Sequence, residues 1–238
     1  MIINSMWDNN KYNEFTKYLY SLQDIKYRDF SKSLMPSKNE YELIGIRIPI
    51  LKKMAKAISK EEYTSFIKVN KHSTFEEILL HGLTIGYIKE DIDTIIKLSK
   101  EYIPYISNWA LCDSYVSNLN IMSKYPKKCL SLVKWCLNHK KEYYKRTGYV
   151  LLLNYMIKDE YIDEIFNLCN NNDSDEYYVK MAIAWLISEI YPKYPDKTIE
   201  YLKSNKLDKW THNKSIQKIR ESNRVSKEEK DNLLEWKK

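Results

Sequence analysis

Residues that turn or interrupt a chain are scarce in this sequence, which contains only 4 Gly and 6 Pro among 238 residues. A β-rich or loop-rich fold needs turn residues about every ten positions, so their scarcity argues against both. Hydrophobic residues make up 44% of the chain and aromatic residues 13%, which is typical of a folded protein and not of a disordered one. A chain of this length can also bury a substantial core.

The patterns of metal, nucleotide and membrane sites are missing too. The four cysteines form no C-x-x-C pair and have no histidine at metal spacing, which predicts free buried thiols in a reducing compartment, no metal and no organic cofactor. No G-x-G-x-x-G or P-loop spacing occurs. No apolar run approaches the roughly 18 residues of a membrane span, and the N-terminus lacks the pattern of a signal peptide. We therefore expect a cytoplasmic protein.

The net charge of +7 is distributed unevenly along the chain. Basic residues outnumber acidic ones by five to none in Leu43–Lys60, eight to one in Lys124–Arg146 and nine to four in Lys203–Lys230, whereas Asp159–Glu176 holds seven acids and no base. A run of charge is more often only a solvated face. Three separated basic blocks beside a segregated acidic one nevertheless favour an electropositive surface for a polyanion.

Apolar residues recur at helical spacing along nearly the whole chain. Gly82 and Gly86, four residues apart, would let a neighbouring helix approach closely. Paired helices of about 10–18 residues resemble an α-solenoid of HEAT or armadillo type, so we predict an all-α fold, one domain over residues 1–238 and a concave basic groove. The predicted helices are two within Asn9–Leu34, Ile50–Ser59, Lys60–Val69, one from after Thr74 to about Ile88, Asp91–Tyr102, one beginning at Pro126, Lys141–Lys158, Glu160–Cys169, Glu176–Tyr191, Asp196–Ser204, and two near Lys209–Ser222 and Lys227–Trp236, with Pro36–Tyr41 as a polar connector.

The stretch from Ser107 to Asp113 carries the most distinctive pair of side chains. If this stretch is helical, Trp109 and Asp113 stand at i and i+4 and share one face. The ordinary interpretation is a core tryptophan beside a surface or capping aspartate. Packing explains Asp113 least well, because no cationic residue lies within one helical turn of it. It could still cap a helix or pair with a distant lysine.

Short motifs follow one another along the chain: Gly45-Ile46-Arg47-Ile48-Pro49, Asn108-Trp109-x-x-x-Asp113, Tyr144-Lys145-Arg146, Tyr178-Val179-x-x-Ala182-x-Ala184-Trp185-Leu186-x-x-Glu189 and Lys218-Ile219-Arg220-Glu221-Ser222. Each motif is short, but together they span about 175 residues and are fairly specific. By their order and intervals the whole chain resembles the bacterial DNA alkylation repair family, the AlkD-like DNA glycosylases built from HEAT-like repeats.

The resemblance implies a monofunctional enzyme that hydrolyses the N-glycosidic bond of N3- or N7-alkylated purines in duplex DNA, without a pocket for a flipped base. It implies Asp113 as the catalytic carboxylate, Trp109 and Trp185 as aromatic walls, and Arg146 as a phosphate ligand beside them. Such an enzyme would act as a monomer and associate with the nucleoid when bound to DNA. The other basic residues of the motifs are further candidates for DNA binding, namely Arg47, Lys145, Lys218 and Arg220.

Two departures and two alternatives remain open at this point. Asn108 stands where many relatives have a second tryptophan, and the longer N-terminal connector leaves Tyr27 and Phe30 as equal candidates for a DNA-contacting aromatic residue. A catalytically silent member that binds damaged or bent DNA is the first alternative, although a pure phosphate binder gains nothing from Asp113. A protein-binding scaffold is the second, and the basic blocks argue against it.

Overall fold

The computed structural model describes residues 6–35 and 41–238 and is all-α over those residues, where 14 α-helices and no strand occur. The predicted helices are confirmed with small shifts at their ends, and residues 36–40 of the predicted connector lie outside the described residues. None of the helices in the described ranges is long and apolar enough to cross a membrane. The helices are α1 Asn9–Ser21, α2 Ile25–Leu34, α3 Ile48–Ile58, α4 Tyr63–Val69, α5 Phe75–Tyr87, α6 Ile92–Tyr102, α7 Trp109–Val116, α8 Pro126–Leu137, α9 Glu142–Tyr155, α10 Ile162–Asn170, α11 Tyr177–Ile190, α12 Pro195–Ser204, α13 Lys209–Glu221 and α14 Lys227–Asn232.

The chain divides into two compact units, the first ending at Lys128 and the second beginning at Cys129. In the first unit α5 packs against α3, α6 and α7, and in the second α11 packs against α9, α12 and α13. Each unit thus stacks every second helix of the chain side by side, as helical-pair repeats do. The single domain over 1–238 and the concave groove stay predictions.

Helix α5 is the centre of the first unit, with every residue from Phe75 to Ile85 buried. Its N-terminus is fixed by a capping box in which Glu77 N–H donates to Thr74 Oγ1 (3.2 Å) and Thr74 N–H donates to Glu77 Oε2 (2.9 Å). The predicted close approach at the two glycines is confirmed. A Cβ on Gly82 would lie 2.5 Å from the Tyr102 ring, and one on Gly86 would lie 2.6 Å from the Asn118 carbonyl oxygen.

Helix α11 is the centre of the second unit, and its apolar sequence predicts burial on all sides. The structure corrects this prediction. Tyr178, Met181, Trp185 and Glu189, at i, i+3, i+7 and i+11, form one half-exposed stripe on an otherwise largely buried helix. Trp185 is therefore accessible to a ligand and is not a core residue.

The four cysteines, Cys112, Cys129, Cys136 and Cys169, are free and buried, as predicted. Burial raises the pKa of the Cys129 thiol to about 12 and also raises the pKa of Cys169. The thiols of Cys129 and Cys169 therefore stay protonated at neutral pH, and all four cysteines act as small apolar core groups.

Candidate functional site

The segment that carries Trp109 and Asp113 is helical, as the spacing argument required. Helix α7 begins at Trp109, and its N-cap is Asn108, whose side chain accepts a hydrogen bond from Leu111 N–H (2.9 Å). Asp113 lies in the second turn, so it does not cap this helix. Trp109 and Asp113 are half-buried on the same face. The asparagine that departs from many relatives has a structural role here, because it starts the helix that presents both side chains.

A cavity of about 210 Å³ lies within the first unit, between α2 and α7. Trp109 and Asp113 line one side, and Tyr27, Phe30 and Leu34 of α2 line another. The indole Nε1 of Trp109 donates to the Leu34 carbonyl oxygen (3.3 Å), which orients the ring. The remaining wall is mainly apolar, so the Asp113 carboxylate faces a space with few competing polar groups.

Both N-terminal aromatic candidates therefore line the same cavity as Asp113. Tyr27 is held from two sides, because Asp24 caps α2 by accepting from Tyr27 N–H (3.0 Å) and the Arg47 guanidinium lies 5.0 Å from the Tyr27 ring centre. Arg47 also pairs with Asp24 (2.8 Å). The Tyr27 N–H and then the Arg47 guanidinium lower the pKa of the Asp24 carboxyl. Arg47, a candidate DNA ligand, thus stands beside the cavity with its side chain largely exposed.

Glu76 organises the segment around Arg47, and sequence reasoning missed this role. Its buried carboxylate accepts hydrogen bonds from the backbone N–H groups of Ile44 (3.0 Å), Gly45 (2.7 Å) and Ile46 (3.2 Å). Burial raises the pKa of the Glu76 carboxyl, and the three N–H donors act against that rise. Gly45 has φ +96°, and a Cβ there would lie 2.5 Å from Arg28 Cβ. In the sequence, Glu76 was visible only as a favourable first-turn acid of a helix.

The basic residues that open α9 are buried in the second unit and engaged with nearby groups. Lys145 forms an ion pair with Asp173, and its ammonium lowers the pKa of the Asp173 carboxyl. Arg146 donates from Nη1 to the Tyr178 carbonyl oxygen (2.9 Å), and its guanidinium lies 5.8 Å from the Tyr178 ring centre. Arg146 is thereby placed beside the N-terminal end of the stripe that carries Trp185.

The C-terminal candidates lie on α13 and are partly exposed. Lys218 pairs with Glu221 (3.1 Å), and Arg220 donates from Nε to the Lys230 carbonyl oxygen (2.9 Å). Arg224, which follows α13, pairs with Glu189 of the α11 stripe (2.7 Å). This ion pair joins the motif on α11 to the segment that follows the last motif of the sequence.

The structure brings Asp113 and Trp109 together with Tyr27, Phe30 and Arg47 in the first unit. In the second unit it places Arg146 beside the Trp185 stripe. The family model described as DNA alkylation repair enzyme matches residues 15–219, which is most of the chain. Comparison with curated proteins finds no match. The chain therefore belongs to the DNA alkylation repair enzyme family.

Proposed function

We propose that this protein is a DNA glycosylase that hydrolyses the N-glycosidic bond of N3- or N7-alkylated purines in duplex DNA. Membership of the DNA alkylation repair enzyme family supports a role in this type of repair. The finer proposal is carried by one observation: Asp113 and Trp109 line the same cavity as Tyr27 and Phe30. We propose further that the whole chain acts as one domain and as a monomer on its DNA.

The chemistry explains why a carboxylate would stand among aromatic side chains. Alkylation at N3 or N7 places a positive charge on the purine, which weakens its bond to C1′ of the deoxyribose. When that bond breaks, its electron pair leaves with the purine and the sugar becomes an oxocarbenium-like cation. Asp113 would stabilise this cation, orient a water molecule for attack on C1′ and accept the proton that the water loses.

The surroundings of Asp113 favour this role. The cavity wall is mainly apolar, and a low local dielectric would strengthen the interaction of the carboxylate with a developing positive charge. The oriented indole of Trp109 would contact the cationic sugar through its face. We propose that excision needs no pocket for a flipped base, as the resemblance to the AlkD-like glycosylases implies.

The residues of the second unit have supporting parts in this proposal. Trp185, half-exposed on α11, would supply the second aromatic wall. Arg146 would bind a phosphate beside the lesion, with Lys145, Arg47, Lys218 and Arg220 as further phosphate ligands. Lys145 would have to exchange its Asp173 partner for phosphate, so we expect its contribution to be smaller than that of the exposed Arg47.

The experiment that tests the proposal measures release of free 7-methylguanine and 3-methyladenine from methylated duplex DNA. The wild type should release both bases, and Asp113→Asn should lower the rate about 10²–10³-fold, because it removes the charge that stabilises the sugar cation. Duplex binding by Asp113→Asn should be equal or tighter, since a negative charge near the phosphates is lost.

Asp93→Asn is the matched control, because Asp93 is an exposed aspartate of the same unit that pairs with Lys128. It should release both bases at the wild-type rate. If the wild type binds duplex DNA but releases neither base, the protein is a catalytically silent DNA-binding member of the family. Equal loss of activity in both variants would show that Asp113 has no special role.

A further inference from the structure

A groove on α13 combines an aromatic ring with positive charge. It has a volume of about 530 Å³ and is lined by Trp210 and by four basic residues, Lys209, Lys214, Arg220 and Lys237. The other lining side chains are the amides of Asn213 and Gln217, and none of the described residues that line the groove is acidic. Two acids of this region have partners of their own: Glu221 pairs with Lys218 (3.1 Å) and accepts a hydrogen bond from Gln217 (2.8 Å), and Asp208 caps α13.

Trp210 is unusual among the tryptophans of this protein. All six tryptophans lie in described residues, and only Trp210 is exposed, with 38% of its surface accessible. Its ring lies 5.5 Å from the Lys180 ammonium and 5.9 Å from the Lys214 ammonium, and the exposed Tyr177 ring is 5.6 Å away. An exposed indole with cations on its flanks contributes little to a core. It is a typical element of surfaces on which nucleic-acid bases stack.

The spacing along α13 fits a strand of nucleic acid. Trp210, Lys214, Gln217 and Arg220 follow one another at helical spacing and so share one face, which extends for about 15 Å. That length spans a few nucleotides of one strand. Charge and aromatic surface therefore lie along one line, as a single strand requires.

We propose that this face of α13 binds single-stranded DNA, with Trp210 stacked on an unpaired base and the basic side chains bound to the flanking phosphates. In a duplex the flat faces of the bases are covered by their neighbours, so an exposed indole gains nothing from intact double-stranded DNA. Cations alone would suffice for a duplex backbone. The indole adds affinity only where a base face is free. This inference does not depend on base excision.

The test measures the dissociation constants of two fluorescein-labelled oligonucleotides of about 15 residues, oligothymidylate and a fully abasic strand of the same length, by fluorescence anisotropy. Trp210→Ala should weaken binding of oligothymidylate about 5- to 100-fold and change binding of the abasic strand less than about twofold. Trp210→Phe should retain most of the affinity. Lys214→Gln should weaken binding of both strands. It should also make the slope of log K against log[salt] less steep by about 0.7, because one phosphate contact is lost.

Tyr18→Ala is the matched control, because Tyr18 of α1 is an aromatic residue of nearly equal exposure, 40%, in the other unit. It should leave both dissociation constants unchanged. The proposal is overturned if Trp210→Ala binds oligothymidylate like the wild type, or if it loses the same factor on the abasic strand. Should Trp210→Ala fail to fold by circular dichroism, Trp210→Leu, which also lacks an aromatic ring face, replaces it and is judged by the same criteria. Excision of alkylated bases is measured separately and can fail or succeed independently.

Discussion

The central helices of the two units, α5 and α11, have similar apolar sequences but different surroundings. Helix α5 is buried without interruption from Phe75 to Ile85 and encloses two glutamates and a histidine. Helix α11 keeps a half-exposed stripe that includes Tyr178 and Trp185. A buried polar group costs free energy when it lacks a hydrogen bond, whereas one on a half-exposed stripe has water as an alternative partner.

The two central helices differ in what their side chains do. The polar groups of α5 hold loops in place, as Glu76 does for the segment around Arg47. The candidate chemistry of the first unit therefore lies on α7 and α2, next to the helix that supports them. In the second unit the central helix itself carries a candidate residue, Trp185. The polar side chains of α5 should thus dominate stability, and those of α11 should contribute little to it.

Glu76→Ala should produce the largest loss of stability. It leaves the buried N–H groups of Ile44, Gly45 and Ile46 without their acceptor, and we expect the free energy of unfolding to fall by about 3–5 kcal/mol. Urea denaturation followed by circular dichroism measures this change. Glu76→Gln retains one acceptor oxygen and should cost less. A loss below about 1 kcal/mol for Glu76→Ala would mean that water replaces the carboxylate and that the segment needs no buried anchor.

Acidification should produce the second-largest loss of stability, because α5 carries the buried His81. The His81 Nδ1 lies 2.9 Å from His72 Nε2, and the His72 ring stacks on Tyr105 at 3.8 Å. Burial lowers the pKa of His72 to about 4 and that of His81 to about 3, and the nearby Glu77 acts against the shift of His72.

The lowered pKa values of His72 and His81 determine how stability changes with pH. Between pH 6.5 and about 4 the unfolded chain binds more protons than the folded protein, so stability is full above pH 6.5 and falls as the pH falls. We expect a loss of about 1–2 kcal/mol per histidine between pH 7 and 5, measured by urea denaturation at each pH. The double variant His72→Gln, His81→Gln should flatten this dependence. An unchanged slope in that variant would assign the effect to carboxyl groups elsewhere.

The sequence predicted the helices well because helical periodicity and end signals are local. The helix predicted after Thr74 begins there and is fixed by a capping box, and Pro49 falls in the first turn of α3, where proline is favoured. Burial of α11 on all sides was predicted wrongly. The apolar content of a helix limits how much of it can be buried, but neighbours distant in sequence decide which face remains open.

The candidate site was predicted only in part, because sequence patterns show local relations and not contacts between residues far apart in the chain. The i, i+4 relation of Trp109 and Asp113 is local and was therefore visible. The ion pair between Lys145 and Asp173 joins residues 28 positions apart, so the basic block around Lys145 overstated the charge that faces solvent. Glu76 and its three N–H partners are separated by about 30 residues in the same way, and no sequence pattern marks such a contact.

Glu189→Ala should have the smallest effect and is the matched counterpart of Glu76→Ala on the other central helix. Glu189 pairs with Arg224 at 2.7 Å, but both side chains are substantially accessible, so the pair should contribute only about 0.2–1 kcal/mol to the free energy of unfolding. Half-molar salt should remove most of that difference, because the charges are screened, whereas it should leave the cost of Glu76→Ala unchanged. Urea denaturation at low and high salt measures both. If Glu189→Ala destabilises the protein as much as Glu76→Ala, the stripe on α11 is a structural element and the contrast between the two helices fails.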